Sequence, residues 1–261
     1  MTDTTLNKVL AINNLHLEEL KWNDKAIGRY VVTDGQEAYG VVSNRYKPVS
    51  HKEALSQVQE WLPEGKVTNV YTEDGFSRAV FNIELPKVYE FDGDEVKTFI
   101  NLRNSLDGRW TLGLIVSPVQ VICHNTFVLS FKEAYIDLET KHTATSVAKF
   151  FNEVKLVEQV YRALEGQLEV AEKLKASSVT TDKGIEFLQK LIDKKVITKK
   201  AGEQAKIVFT QPQFDNEKQR TLLGVFNATT NVLSRELETK ETITAYDKLI
   251  KVGEAFTEVV S

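Results

Sequence analysis

Cys123 and His124 put a thiol directly beside an imidazole, the residue types of an activated nucleophile and its base. Neighbours on an extended strand point to opposite faces, so this pair cannot share the side-chain hydrogen bond that activation requires. The spacing instead predicts a small buried thiol at a strand end, with Asn125 or Thr126 capping the turn that follows. Asp92-Gly93-Asp94-Glu95-Val96-Lys97 contains the acid-x-Lys spacing with which metal-dependent nucleases hold a divalent ion on a strand. Asp-Gly-Asp is equally an ordinary hairpin turn, and no upstream carboxylate is marked as its partner. The four histidines, His16, His51, His124 and His142, are far apart and show no HExxH or HxxxH pairing, so no zinc site is spelled out in the spacing. Neither GxxxxGK[ST] nor GxGxxG occurs, and Gly65-Lys66 lacks both the upstream glycine and the following hydroxyl of a phosphate loop. These patterns predict a protein that is not an enzyme and needs neither cofactor nor metal.

Basic residues offer a different chemistry. Lys190 to Lys206 carries six lysines against Asp193 and Glu203, a local net charge of +4 in an otherwise acidic chain. Such a run is either a solvated helical face or a patch that tracks phosphates, and Lys194, Lys195, Lys199 and Lys200 are its densest part. Arg45, Arg78, Arg103 and Arg109 stand near Tyr46, Phe76, Phe99 and Trp110, an interleaving that suits a groove with stacking platforms for single-stranded nucleic acid. Aromatics in strands also fill cores.

The elements that position these residues follow from periodicity. Arg29 to Thr33 and Glu37 to Ser43 alternate and flank Asp34-Gly35, a hairpin turn. Ser50 reads as the N-cap of a helix from His51 to Leu62, with Ala54, Leu55, Val58, Trp61 and Leu62 on one face and Pro63 and Gly65 as its stop. Glu73-Asp74-Gly75 marks a second hairpin between Val67–Thr72 and Phe76–Leu85. Asn104 to Gly108 marks a third, between Glu95–Arg103 and Arg109–Ser117, with Pro118 to Ile122 continuing the last strand past a bend. From Ala144 to Lys175 apolar residues recur at three- and four-residue steps without a proline, predicting one long amphipathic helix that lies across the sheet. Thr180–Lys194, Lys199–Phe209, Glu217–Glu238 and Thr242–Val259 read as further helices. Strands followed by helices predict an α+β fold: an antiparallel sheet region over 1–140 and a helical region over 141–261, packed as one compact unit.

The chain has 261 residues, 42% hydrophobic and 27% charged, with a net charge of −4, so it is long enough for a sizeable core and not basic overall. Its single cysteine excludes an intramolecular disulfide and fits a reducing cytoplasm. Without a basic head and long apolar run near Met1, or any later run of membrane-spanning length, the expectation is a cytoplasmic protein that does not cross a membrane.

Three stretches resemble the phage/plasmid-like family known as domain of unknown function 932. They are Gly40-Val41-Val42-Ser43-Asn44-Arg45-Tyr46-Lys47-Pro48-Val49; a central run of Asn104-Ser105-Leu106-Asp107-Gly108, Pro118 to Thr126 and Lys141-His142-Thr143; and Gly224-Val225-Phe226-Asn227-Ala228-Thr229-Thr230. Leu106 stands where the family usually has histidine, and Gln120 where it usually has arginine. The resemblance implies a gene of a phage or mobile element, whose product works in the host cytoplasm if it is phage-encoded, without implying an activity. Turn chemistry accounts for Asn104, Asp107 and Gly108, and for Cys123, Asn125 and Thr126, as architectural residues; Asn227 joins them as part of the family motif. The order of elements is similar to single-strand annealing proteins of the Rad52-like type, a likeness of fold alone. On that footing the expectation is a homo-oligomer that binds single-stranded DNA through Arg45, Arg103, Arg109, Lys194, Lys195, Lys199 and Lys200, as an annealing accessory in recombination or replication. The alternative is a non-enzymatic interaction protein that inhibits a host or defence enzyme, needing only a complementary surface.

Overall fold

The computed structural model describes residues 2–72, 74–91, 94–120, 139–152, 156–212, 220–240 and 243–260. Residues 121–138, with Cys123, His124, Asn125 and Thr126, lie outside the described residues, as do Asp92 and Gly93. The fold is α+β, with antiparallel sheets in the N-terminal half and helices through the C-terminal half. Its contacts divide into two units, one of residues 1–86, 99–115 and 134–160, the other of 87–98, 116–133 and 161–261.

The first unit opens with helix α1 (Thr2–Ala11) and strands β1 (His16–Trp22), β2 (Lys25–Thr33) and β3 (Ala38–Val42), which form a three-stranded sheet in that order. Neither α1 nor β1 was marked by the patterns above. The turn from β1 into β2 is Asn23-Asp24, both at positive φ (49° and 61°), which short side chains that bond their own backbone tolerate best. The β2–β3 turn is built as predicted. Gly35 takes φ +91°, and Asp34 Oδ1 accepts from Gln36 N and Glu37 N, each at 2.9 Å.

Helix α2 (His51–Trp61) begins where Ser50 Oγ accepts from Glu53 N at 3.0 Å. It buries Ala54, Leu55 and Val58, and Trp61 packs edge-on against Phe150 at 5.8 Å. A five-stranded sheet follows in the order β4 (Lys66–Thr72), β5 (Arg78–Phe91), β6 (Asp94–Ser105), β7 (Leu112–Gln120) and β8 (Glu139–Thr140). β7 runs on through Pro118 to Gln120, so the strand continues past the proline as expected, while Val121 and Ile122 lie outside the described residues. Its pairing at Leu112↔Thr140 and Gly113↔Glu139 brings the chain after residue 138 beside β7.

The long helix predicted over 144–175 is two helices. Helix α3 (Ala144–Phe151), N-capped by Thr143, ends at Asn152, whose N–H bonds back to Ala148 O and Lys149 O. Helix α4 (Leu156–Ala176) starts anew. A periodic pattern reports which face is buried and is blind to a cap that ends one helix and a second start in phase with it. Val170, Ala171 and Leu174 are buried on α4, while Tyr161 and Leu168 are half-buried.

In the second unit, helices α5 (Thr181–Asp193), α6 (Lys199–Thr210), α7 (Leu222–Lys240) and α8 (Ile243–Val260) pack in succession. Thr180 and Thr198 cap α5 and α6. Phe256 meets Phe187 and Phe226 at ring separations of 4.8 and 5.1 Å. The residues of α7 from Leu222 to Ser234 are buried all round, so this helix is the centre of the helical core. No helix among the described residues is long and apolar enough to cross a membrane.

Candidate functional site

Three stretches far apart in the chain meet around one cavity of the first unit: 43–46 after β3, 108–111 at the β6–β7 turn, and 141–143 between β8 and α3. Each is placed by a local device. Tyr46 pairs with Thr143 in an isolated antiparallel bridge, and Lys47 N donates to His142 O at 2.8 Å, which joins the first stretch to the third. Tyr46 OH donates to Ser105 O at 2.6 Å, which ties both to the β6–β7 turn.

That turn is held closed by its own side chains. Ser105 Oγ donates to Trp110 O and accepts from Trp110 N, Asp107 Oδ1 accepts from Arg109 N at 3.0 Å, and Gly108 takes φ +72°. Gly40 on β3 lies so near that a Cβ there would stand 2.6 Å from the Cβ of Asp107. Only glycine permits this approach. Leu106 is fully buried in an apolar cluster with Ile12, Val32 and Val42, and Phe76 packs against the same cluster. In this chain that position builds core.

Beneath the turn lies a buried polar chain. Asn104 Nδ2 donates to Val49 O (2.9 Å) and to His51 Nδ1 (3.0 Å), which makes Nε2 the protonated nitrogen; it donates to Phe76 O at 2.9 Å. Burial pushes the His51 imidazole down to about 4, so the ring is neutral at pH 7. His142 stacks on Tyr46 with ring centres 4.9 Å apart, and its ring nitrogens are closed off from solvent. Burial takes it down to about 4 as well, against the opposing pull of a bond with the Lys47 backbone and, more weakly, of Asp107's negative charge. Burial also raises the Tyr46 phenol above its ordinary value.

The cavity has a volume of about 370 Å³. Arg45, Arg109 and Lys141 stand around it as exposed cations, and Trp110, Tyr46 and His142 supply ring surfaces. Ser43, Thr111 and Thr143 contribute hydroxyls. Arg45 and Lys141 make no ion pair among the described residues, and Arg109 Nε is 3.7 Å from Asp107 Oδ2 with its side chain 72% exposed. Asp107 is fixed from the other side by Arg78 Nε at 3.3 Å, and the Arg78 guanidinium lies over Trp110 at 5.4 Å. The rim is thus a cationic ring beside an indole held in place, a combination that suits an anionic ligand carrying a flat group.

Of the arginines the sequence grouped together, Arg45 and Arg109 reach this rim and Arg103 does not. Its guanidinium is committed to Glu139, and its Nη2 donates to Thr111 Oγ1 at 2.6 Å. Thr111 in turn donates to Glu139 Oε2 at 2.9 Å, so Arg103 braces β6, β7 and β8 under the cavity. Lys194, Lys195, Lys199 and Lys200 belong to the second unit, at the α5–α6 turn, and are all exposed. Lys195 adopts φ +58°, and Lys199 and Lys200 are the first residues of α6, where the helix dipole disfavours cations. Asn227 is fully buried in α7, and no group of three metal-ligating side chains gathers among the described residues.

Lys141 and His142 were legible only as part of a family-like stretch, and Trp110 only as one aromatic among four. Lys141 and His142 lie inside a stretch that the resemblance singled out, and Trp110 stands two residues past another. The family model described as a domain of unknown function (DUF932) matches residues 38–251, and the chain belongs to that family. No curated protein and no solved structure matches the chain.

Proposed function

We propose that this member of the domain of unknown function 932 family binds single-stranded DNA in the cytoplasm as a non-enzymatic annealing accessory of a phage or mobile element. The observation that supports this is the convergence of Arg45, Arg109 and Lys141 around Trp110, drawn from three separate stretches of chain. Cations beside a half-buried aromatic ring are the equipment of a strand-tracking protein, which neutralises phosphates and stacks bases without reading them. The exposed lysines of the α5–α6 turn supply a second set of phosphate contacts, and Arg103 acts by positioning Thr111 and β8.

Annealing needs neither a nucleophile nor ATP, only strands held with their bases open to a complement; copies of the chain along one strand would serve that end. The test is fluorescence anisotropy of a labelled oligonucleotide over a range of salt. Each phosphate contact contributes about −0.7 to the log–log slope, so replacing Arg45, Arg109 and Lys141 by alanine flattens it by about 2. A variant lacking Lys194, Lys195, Lys199 and Lys200 flattens it further. Absence of binding at low salt refutes the reading.

One observation favours a second reading, an interaction protein acting on a host or defence enzyme. Trp22 and Ile27, 73% and 51% exposed, project from the β1–β2 hairpin, outside the matched family region. Loss of host-enzyme inhibition in a Trp22→Ser variant, with oligonucleotide binding absent in the parent, would decide for it.

A further inference from the structure

Strand β1 has one side open. Among the described residues it pairs with β2 alone, so the backbone N–H and C=O groups along its other side form an unpaired edge of seven residues, His16–Trp22. Proteins commonly blunt such an edge with a proline or with a bulge in the edge strand itself. β1 has neither. Between the pairs Glu19↔Tyr30 and Lys21↔Ala26, β2 carries Ile27, Gly28 and Arg29 against Leu20 alone on β1, with Gly28 at φ +67°. The irregularity therefore falls on the inner strand and leaves the edge continuous.

An open edge accepts another strand, and the side chains decide which. Glu18, Glu19, Lys21 and Trp22 are exposed and Leu20 is half-buried. By alternation Glu19 and Lys21 lie on the face that packs Leu17 against the apolar cluster, while Glu18, Leu20 and Trp22 lie on the outer face. Trp22 is 73% exposed there, and Val41, placed on the same face by the pairs Glu18↔Val31 and Val31↔Val41, is 56% exposed.

Pairing β1 with β1 of a second copy about a twofold axis sets each residue opposite one that shares its face, so the register must be centred on a single residue. Centred on Glu18 or Glu19 it opposes two carboxylates, and centred on Lys21 two ammonium groups. Centred on Leu20 it sets Leu20 against its own copy and Glu19 against Lys21 on both sides of the axis. Trp22 then stands diagonal to Leu20 of the second copy, within reach of a large ring. Lys21 makes no ion pair among the described residues, and Glu19 only accepts from Tyr30 OH at 3.4 Å, so both charges are open to a partner.

We infer that β1 is a self-complementary docking edge: two copies pair antiparallel, centred on Leu20, into one continuous six-stranded sheet held by two Glu19–Lys21 pairs. The contact uses the same patch on both copies, so it closes on itself as a dimer and does not propagate. It goes beyond strand binding and is independent of it.

The experiment is sedimentation equilibrium of the full chain without nucleic acid, up to about 200 μM, where even a weak edge contact populates the dimer. The chain shows a monomer–dimer equilibrium. Lys21→Glu and Glu19→Lys each set like charges against each other in both pairs and lower self-affinity at least about tenfold, and Trp22→Ser weakens it as well. Mixing the Lys21→Glu and Glu19→Lys chains, one of them labelled, restores a dimer made of one of each, because both cross-strand pairs are then of opposite sign; this recovery separates a lost contact from a misfolded variant. A chain that is monomeric throughout overturns the inference and leaves the exposed Trp22 to the host-enzyme reading. A dimer unchanged in both charge variants, or variants that fail to dimerise alone and also fail to associate when mixed, overturns it too.

Discussion

Two buried neutral histidines in one unit make its stability fall on mild acidification, and the loss can be worked out in advance. His51 and His142 are each taken from 6.5 in the unfolded chain down to about 4 in the folded one, chiefly by burial. For His51 the geometry supplies the reason: Nδ1 accepts from Asn104, so a second proton there would break that bond. Because the folded values are lowered, the contribution is complete above the unfolded value and is lost as pH falls from there toward about 4. A shift of this size corresponds to about 3 kcal/mol per histidine once fully expressed, and to about 2 kcal/mol at about pH 5. Together the two remove about 4 kcal/mol between about pH 7.5 and about pH 5, a large share of an ordinary stability of about 5–15 kcal/mol. Urea denaturation at the two pH values measures the loss, and His142→Phe halves it because one of the two titrating groups is gone. A wild-type change below about 1 kcal/mol, or an identical loss in His142→Phe, would refute the assignment of both rings as buried and neutral.

Two further outcomes concern the frame around the cavity. Gly40→Ala presses a methyl against Asp107 where the turn cannot retreat, lowering stability by about 1–3 kcal/mol in a thermal melt and weakening oligonucleotide binding because Asp107 also positions Arg109. Ser50→Ala removes the α2 cap and costs about 1 kcal/mol with binding unchanged, since α2 contributes nothing to the rim; weakened binding would show that the cavity depends on α2.

What the sequence determined by itself are the features closed by local bonds. Asp34-Gly35 and Ser50 act on backbone groups two or three residues away, so their roles are written in adjacent letters and the structure shows both of them. The alternating strands and periodic helices that make the fold α+β are legible for the same reason. Periodicity failed where its signal continues across a break, at Asn152, and where turn residues were passed over, at Asn23-Asp24.

The cavity belongs to the other class, because its members are neighbours only after β8 pairs with β7 and Lys47 bonds to His142. Tertiary structure alone separated three similar arginines: Arg45 and Arg109 face the cavity, while Arg103 meets Glu139, thirty-six residues away in sequence. It also made Leu106 a core residue and turned His51 and His142 into neutral, buried groups. Charge and protonation follow from burial and from partners brought by distant strands, and those are properties of the folded surface rather than of any stretch of sequence.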